Sequence, residues 1–225
     1  MNIEKARFNM IEQQIRPWNL MDDSVLELLS VVKREDFVPK AQKSLAFADL
    51  EIPLLGSSEA ALALGQCMLE PRLEARLLQD LAVLPTDTVL EIGTGSGYMA
   101  ALLGKKAQRV LSLEIVPELV AMARENLANA GIHNVEVRQA DGTQIPASDG
   151  SFDVIALSGS VTEVPPALLK LLKVGGRLGA IVGDDPVMRA TVVTKNSETD
   201  FRTVQEWDTV APRLRNFPEP SRFKL

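Results

Sequence analysis

Three glycines at alternate positions follow an apolar run, and this is the stretch of the sequence best suited to chemistry. The run covers residues 89–92, and the glycines are Gly93, Gly95 and Gly97. Because glycine has no Cβ, a loop of this kind between a buried strand and a helix lets the backbone approach a ligand closely. The segment therefore predicts a ligand site on a strand–loop–helix unit.

The neighbours of these glycines indicate which ligand the loop would bind. A dinucleotide-binding loop has a third small residue where it enters its helix, but Tyr98 holds that position here. Glu91 lies two residues before Gly93, and its carboxylate would repel a diphosphate and attract a cation. The residues therefore favour S-adenosylmethionine, which carries a sulfonium and an ammonium group, over NAD or ATP.

Two further acids follow the next two apolar runs. The run at 109–113 ends in Glu114, and the run at 135–138 leads to Asp141 and Gly142. A carboxylate that ends the second strand of such a unit can accept hydrogen bonds from both ribose hydroxyls. Each acid alone is equally well interpreted as a solvated loop residue. Three acids after three separate strands, at the edge where α/β sheets bind ligands, favour a site instead.

The elements that must position these residues predict an α/β fold. Five strand candidates alternate with helices between residues 86 and 183, which is typical of a mostly parallel sheet flanked by helices. Alternating residues at 190–194 and 201–207 predict an antiparallel hairpin at the sheet edge, followed by an extended tail from 212 to 225. Amino-terminal helices are predicted over 4–16, from 22–24 to about 34, and over 71–84, with Ser24 and Glu27 as a capping box.

We interpret the chain of 225 residues as a single domain with three parts. Residues 1–84 form a helical cap that includes the irregular acceptor loop, 85–184 form the cofactor-binding core, and 185–225 form the hairpin and tail.

Charge and hydropathy argue against two classes of partner. The formal net charge is −6 and no run of five basic residues occurs, so nucleic acid is a poor candidate. No apolar stretch approaches the ~20 residues needed to span a bilayer. The amino-terminal segment is charged and amphipathic rather than typical of a signal peptide. We therefore expect a cytoplasmic protein with no membrane partner; the oligomeric state does not follow from the sequence.

The rarest residues restrict the chemistry. The single cysteine, Cys67, excludes an intrachain disulfide and a multi-cysteine metal site. The single histidine, His133, lies in a short link before the third strand and is expected to have no chemical role. Zinc catalysis and Ser-His-Asp hydrolysis are therefore poor candidates, and we expect no metal.

Five segments of the chain resemble the protein-L-isoaspartate O-methyltransferase family, a branch of the class I S-adenosylmethionine-dependent methyltransferases. They include GQCMLEP at 65–71 and VLEIGTGSGYMAALL at 89–103. The other segments are residues 10–39, 134–142 and 163–183. The resemblance covers most of the chain, but the last forty residues match poorly.

The resemblance implies a Rossmann-like class I methyltransferase fold with S-adenosyl-L-methionine as methyl donor and S-adenosyl-L-homocysteine as product. Glu114 would hold the ribose, and Asp141 and Gly142 would lie beside the adenine. The residues implied around the methionine part are Glu91, Gly93, Thr94, Gly95 and Ser96, within the loop that ends at Gly97.

The activity implied by the resemblance is methyl transfer to the α-carboxylate of an isoaspartyl residue in a protein or peptide, the first step in repairing aged proteins. This chemistry agrees with the shortage of histidine. A carboxyl group with a pKa near ~4 is already ionised at pH 7 and needs no general base.

One loop departs from the family pattern, and it leaves the catalytic residue open. The family typically reads G-Q-T-I-S-x-P, with the serine hydroxyl at the acceptor carboxylate; here Leu69 holds the serine position and Cys67 the threonine position. Losing a hydrogen bond to a charged group typically costs ~1.5–3 kcal/mol. We therefore expect weak activity towards isoaspartyl peptides, which Leu69→Ser should raise. Glu70 would add a negative charge beside the acceptor.

Three residues are candidates to replace the missing group. Ser57 and Ser58, in a segment longer than the family pattern, offer hydroxyls but are also well interpreted as solvated. The stretch at 158–161 offers further hydroxyls or is simply a turn. Cys67 is a poor nucleophile, because no nearby cation in the sequence would lower its pKa.

Three functions consequently stay open. The first is an isoaspartyl methyltransferase, and the second is a methyltransferase of the same fold with a less charged acceptor, such as an unidentified small molecule, because Leu69 and Met68 would make the pocket more apolar. The third is a protein that binds S-adenosylmethionine without turnover.

Overall fold

The computed structural model describes residues 2–146 and 149–219 and contains a central sheet of seven strands. The order of the strands in this sheet is β5-β4-β3-β6-β7-β8-β9. Two short strands that come earlier in the chain, β1 and β2, form a separate sheet. The strands are β1 Ile52–Pro53, β2 Cys67–Met68, β3 Thr88–Ile92, β4 Arg109–Glu114, β5 Val135–Gln139, β6 Phe152–Val161, β7 Leu172–Asp184, β8 Val187–Lys195 and β9 Phe201–Thr209.

The first five strands of the large sheet are parallel. β3 is central and pairs with β4 on one side and β6 on the other, while β5 and β7 extend the sheet outward. Helices α5 (Tyr98–Lys106) and α6 (Pro117–Asn129) connect β3 to β4 and β4 to β5. The ends of β3, β4 and β5 consequently meet at one edge, where open α/β sheets bind ligands.

The carboxy-terminal strands confirm the predicted antiparallel hairpin. β7 pairs antiparallel with β8, and β8 with β9. Both hairpin strands are longer than the residue pattern indicated. β6 also continues to Val161, so the interpretation of 158–161 as a turn is wrong: Ser160 pairs with Ile181 of β7.

The other helices come mainly from the amino-terminal part of the chain, before β3. They are α1 Ile3–Asn9, continued by a π-helix Met10–Ile15, then α2 Asp23–Val31, two 3₁₀ helices Arg34–Asp36 and Lys40–Leu45, α3 Ser58–Ala63 and α4 Pro71–Leu81; α7 Pro166–Leu169 precedes β7. The predicted Ser24–Glu27 capping box is wrong, because Asp22 is the cap and accepts a bond from the Ser24 N–H at 2.9 Å. None of the helices in the described ranges is long and apolar enough to cross a membrane.

The irregular loop within the cap forms more structure than the sequence indicated. β1 and β2 pair antiparallel, with Ile52 opposite Met68, and α3 lies between them. This small sheet fixes the backbone of residues 65–69.

The tail crosses the ligand edge of the sheet instead of extending away from it. Residues 211–217, here called the C-terminal strap, run beside the end of β6: Ser160 N–H donates to the Pro212 carbonyl at 2.7 Å, and Leu214 N–H donates to the Ser160 carbonyl at 2.9 Å. Phe217 is buried in the apolar cluster beneath the sheet edge. The end of the predicted tail, 220–225, lies outside the described residues.

Candidate functional site

An open cavity lies at the edge where β3, β4 and β5 end. Five of the predicted cofactor residues line this cavity: Gly93, Gly95, Glu114, Asp141 and Gly142. The other wall consists of residues 64–67 and 213–215.

The glycine loop requires glycine where it faces the cavity. Gly93 has φ +95°, in the left-handed region that disfavours side chains. A Cβ there would lie 2.9 Å from Cδ2 of Leu214 and 3.1 Å from the carbonyl oxygen of Ser158. The loop thus presents bare backbone to the cavity.

Glu91 lies behind this loop and is completely buried. Its two carboxylate oxygens accept hydrogen bonds from the hydroxyls of Ser112 at 2.6 Å and Ser158 at 2.8 Å. Burial raises the pKa of Glu91 to about 7, although both hydroxyls oppose the shift. The predicted direct contact between Glu91 and a cationic ligand is therefore not what the geometry favours, because Glu91 does not line the cavity.

Three other predicted loop residues also support the loop without lining the cavity. The Thr94 and Ser112 hydroxyls lie 2.6 Å apart. Because Ser112 also bonds Glu91, this contact connects the glycine loop to Glu91. The Ser96 carbonyl accepts a bond from Nδ2 of Asn126 on α6 at 2.9 Å. Gly97, with φ +86°, begins the turn into α5.

Glu114 lines the cavity at the end of β4. Its side chain is fixed by two backbone N–H groups, from Gly95 at 2.9 Å and Val116 at 3.0 Å. Each oxygen of a carboxylate can accept a further bond, so Glu114 retains capacity for two hydroxyl donors. A carboxylate held in this way suits a ribose.

Asp141 and Gly142 follow β5 and close the far side of the cavity. One Asp141 oxygen accepts bonds from the N–H and hydroxyl of Thr143, and the other accepts a bond from Nδ2 of Asn216 at 2.8 Å. Burial raises the pKa of Asp141, but these hydrogen bonds outweigh it and lower the pKa overall. A Cβ at Gly142 would lie 2.4 Å from Cγ2 of Ile92, so only glycine fits here.

Leu69 is not part of the cavity wall. Its side chain packs in an apolar cluster with Leu73, Ile181 and Met188, and its carbonyl accepts a bond from the buried Arg34 guanidinium at 2.8 Å. The interpretation that Leu69 makes the pocket more apolar is therefore wrong. The Glu70 carboxylate, expected to add negative charge beside the acceptor, forms an ion pair with Arg72 at 2.8 Å.

Two of the three proposed replacements for the missing serine lie away from the cavity. Ser57 caps α3 by accepting a bond from the Ala60 N–H, and Ser58 accepts a long bond from Gln42; both are exposed and away from the cavity. Cys67 does line the cavity. Burial, followed by the nearby Glu51 charge, raises the pKa of its thiol to about 12, so it stays protonated at neutral pH.

The cavity also contains Ser158, from the stretch that the sequence offered as a source of hydroxyls, and strap residues that the sequence pattern did not identify. Ser158 lines it and bonds Glu91, and the strap contributes Arg213, Leu214 and Arg215. No periodicity or motif marks the strap residues, since their contacts are with segments distant in the chain.

Comparison with known proteins agrees with this geometry. The model of the protein-L-isoaspartate(D-aspartate) O-methyltransferase family matches residues 5–210. A protein-L-isoaspartate O-methyltransferase of Koribacter versatilis is 37% identical over 214 residues, which cover 95% of this chain and 92% of the relative. Its counterpart in Methanoculleus marisnigri is 38% identical over 179 residues, covering 80% of this chain and 78% of the relative.

The fold has a counterpart among solved structures. A crystal structure from Plasmodium falciparum, described as a protein-L-isoaspartate O-methyltransferase in complex with S-adenosyl-L-homocysteine, has a TM-score of 0.76 and 21% identity. The likeness covers 93% of this chain and 98% of that one. The predicted fold is confirmed, and the chain belongs to the protein-L-isoaspartate(D-aspartate) O-methyltransferase family.

Proposed function

We propose that this protein transfers a methyl group from S-adenosylmethionine to the free α-carboxylate of isoaspartyl residues in proteins or peptides. The observation that carries the proposal is the cavity at the ends of β3, β4 and β5, lined by glycine-loop backbone and by Glu114 and Asp141. We further propose that residues 1–225 act as one methyltransferase domain, in protein repair and in the cytoplasm.

The lining residues fit the proposed cofactor. The backbone of Gly93 and Gly95 lines the cavity and suits the methionine part. Glu114 would accept from the two ribose hydroxyls with the lone pairs that its backbone partners leave. Asp141 and Gly142 would lie beside the adenine.

Three hydrogen-bonded residues beneath the loop, two of them completely buried, have a supporting role. Glu91, Ser112 and Ser158 are joined by hydrogen bonds of 2.6–2.8 Å, and Ser158 also lines the cavity. This connection holds the glycine loop against the end of β6, which fixes one wall relative to the other. A site prepared in this way avoids reorganisation during the reaction.

The reaction needs alignment more than acid–base groups. When bound, the cofactor would supply an electrophilic methyl carbon on a cationic sulfur, and the residues that line the cavity would orient the acceptor carboxylate oxygen towards it. No proton moves, because the carboxylate is ionised at pH 7. The walls of the cavity serve to orient the acceptor and to exclude water.

The alternative function, methyl transfer to a less charged acceptor, no longer has a supporting observation. That alternative rested on the Leu69 side chain facing the acceptor, but Leu69 packs against Leu73 and Met188 outside the cavity. The described cavity wall instead includes polar and charged residues, among them Gln66 and Arg213.

The first experiment is calorimetric titration with S-adenosylmethionine. We expect the native protein to bind and Glu114→Ala to bind at least tenfold more weakly, because the ribose loses its charged acceptor. Glu125→Ala, which removes an exposed acid on α6, is the matched control and should leave binding unchanged. Failure of the native chain to bind would overturn the proposal.

The second experiment measures transfer of labelled methyl to an isoaspartyl peptide and to its normal aspartyl twin. We expect labelling of the isoaspartyl peptide alone. Tight cofactor binding without transfer to the isoaspartyl peptide would contradict the proposed acceptor while leaving the donor site intact.

A further inference from the structure

The C-terminal strap forms an ordered wall of the cavity. It is fixed to β6 through Ser160, whose hydroxyl donates to the Ala211 carbonyl at 2.7 Å. It also reaches the opposite rim, where a guanidinium nitrogen of Arg215 donates to the Leu64 carbonyl at 3.2 Å. The strap follows the residues that match the family, which end at position 210.

The strap brings positive charge to a cavity that is otherwise acidic. Among the described residues, two cationic side chains line this cavity, Arg213 and Arg215, and both belong to the strap. The charged residues on the other wall are Glu114 and Asp141. Arginine beside a cationic cofactor is electrostatically unfavourable unless an anion lies between them. The charge pattern therefore points to an anionic acceptor on the strap side.

Arg213 has unused hydrogen-bonding capacity. Its Nη2 donates to the Gly183 carbonyl at 2.9 Å and to the Asp184 carboxylate at 2.7 Å, which anchors the guanidinium at the end of β7. Its Nη1 is buried and has no hydrogen-bond partner among the described residues. A buried donor without a partner costs about 1–3 kcal/mol, which an incoming acceptor group would recover.

We infer that Arg213 and Arg215 recognise the carboxylate of the methyl acceptor, taking over the role of the serine that Leu69 replaces. The inference rests on the proposed function and deepens it. Arginine suits this task because its planar fork is always charged: while Nη2 of Arg213 holds its anchors, Nη1 can donate a charge-assisted hydrogen bond to a carboxylate. Because Asp184 holds one side of Arg213, the guanidinium is oriented before the acceptor binds.

The test compares Arg213→Met and Arg215→Met with native protein in the transfer assay with an isoaspartyl peptide. We expect kcat/KM to fall about 10- to 100-fold for Arg213→Met and less for Arg215→Met, mainly through KM, with cofactor affinity unchanged. Arg213→Lys should restore part of the loss, because it keeps the charge without the fork. Arg202→Met, an exposed arginine on β9, is the matched control.

A second variant separates recognition from a purely structural role. Asp184→Asn removes the negative charge that anchors Arg213 but leaves the positive charge of Arg213. If Arg213 only fastened the strap, Asp184→Asn and Arg213→Met would lower kcat/KM and the melting temperature alike. Recognition instead predicts a much smaller rise in KM for Asp184→Asn.

The outcomes for the inference and for the proposed function are distinct. Native protein that does not methylate the isoaspartyl peptide overturns the proposed function, and the inference with it. Native protein that is active, with unchanged KM in both methionine variants, overturns the inference alone.

Discussion

The two sides of the cavity are built from differently distributed parts of the chain. The glycine-loop side, comprising residues 93–97, Glu114 and Asp141, comes from three successive strand ends, and its bond between Gly95 and Glu114 spans 19 residues. The strap side, comprising residues 64–67 and 211–217, joins segments far apart, and its bond between Arg215 and Leu64 spans 151 residues. The first side is a local motif, whereas the second exists only once the fold has formed.

The largest effect is expected for Gly93→Ala on the glycine-loop side. The left-handed backbone at Gly93 disfavours a side chain, and the new Cβ would lie 2.9 Å from Cδ2 of Leu214 and 3.1 Å from the Ser158 carbonyl oxygen, so the loop that lines the cavity would have to shift. We expect S-adenosylmethionine affinity to fall about 100-fold or more, measured by calorimetry. Gly131→Ala is the control: it has similar strain at φ +66° but nothing within 4 Å of the new Cβ. Equal losses in both variants would show that strain alone is responsible.

The next effect concerns Leu69, where sequence and structure give opposite expectations. Because the side chain is buried among Leu73, Ile181 and Met188, Leu69→Ser should lower the free energy of unfolding by about 2–5 kcal/mol. It should not raise methyl transfer, since the position is outside the cavity. Urea unfolding and kcat/KM are the measurements. Leu69→Ala is the matched control, and a serine variant clearly more active than the alanine variant would restore the serine's catalytic role.

The contrast between the two sides explains how much the sequence predicted. Strand ends, glycines and acids of the glycine-loop side are close in sequence and follow strand periodicity, so the sheet and this wall were predictable. Whether Glu91 contacts a ligand was not predictable, because its bonds to Ser112 and Ser158 depend on which strands are neighbours. The strap was predicted only as extended chain, since no local pattern reveals that it pairs with Ser160.

Replacing Glu91 by Gln tests how the glycine loop is supported. The folded-state pKa of about 7, raised by burial, exceeds the ordinary value of 4.5, so the folded state holds the proton more tightly. The contribution of this group should therefore lower the free energy of unfolding by about 3 kcal/mol as pH rises from about 4.5 to about 7. Above that pH the contribution should stay constant. Glu91→Gln should remove that part of the pH dependence.

The measurement for Glu91 is denaturant unfolding of native and variant protein between pH 4.5 and 8. The difference between the two curves isolates Glu91 from other buried carboxyls, such as Glu74, whose pKa burial raises to about 8. A difference that does not change with pH would contradict the burial argument.

The smallest effect is expected where the two sides meet, at the bond from Asn216 of the strap to Asp141. Asn216 is exposed, so Asn216→Ala should cost about 1 kcal/mol, or roughly a fivefold loss in S-adenosylmethionine affinity. Asn196→Ala, which removes a comparable exposed bond to Asp200 in the hairpin loop, is the control.

The KM of Asn216→Ala for the isoaspartyl peptide then shows whether the two sides are coupled. If the strap moves as one unit, that KM rises together with the cofactor dissociation constant, because Arg213 and Arg215 shift with Asn216. If only the cofactor constant changes, the two sides act independently, and the strap recognises acceptor without sensing the donor.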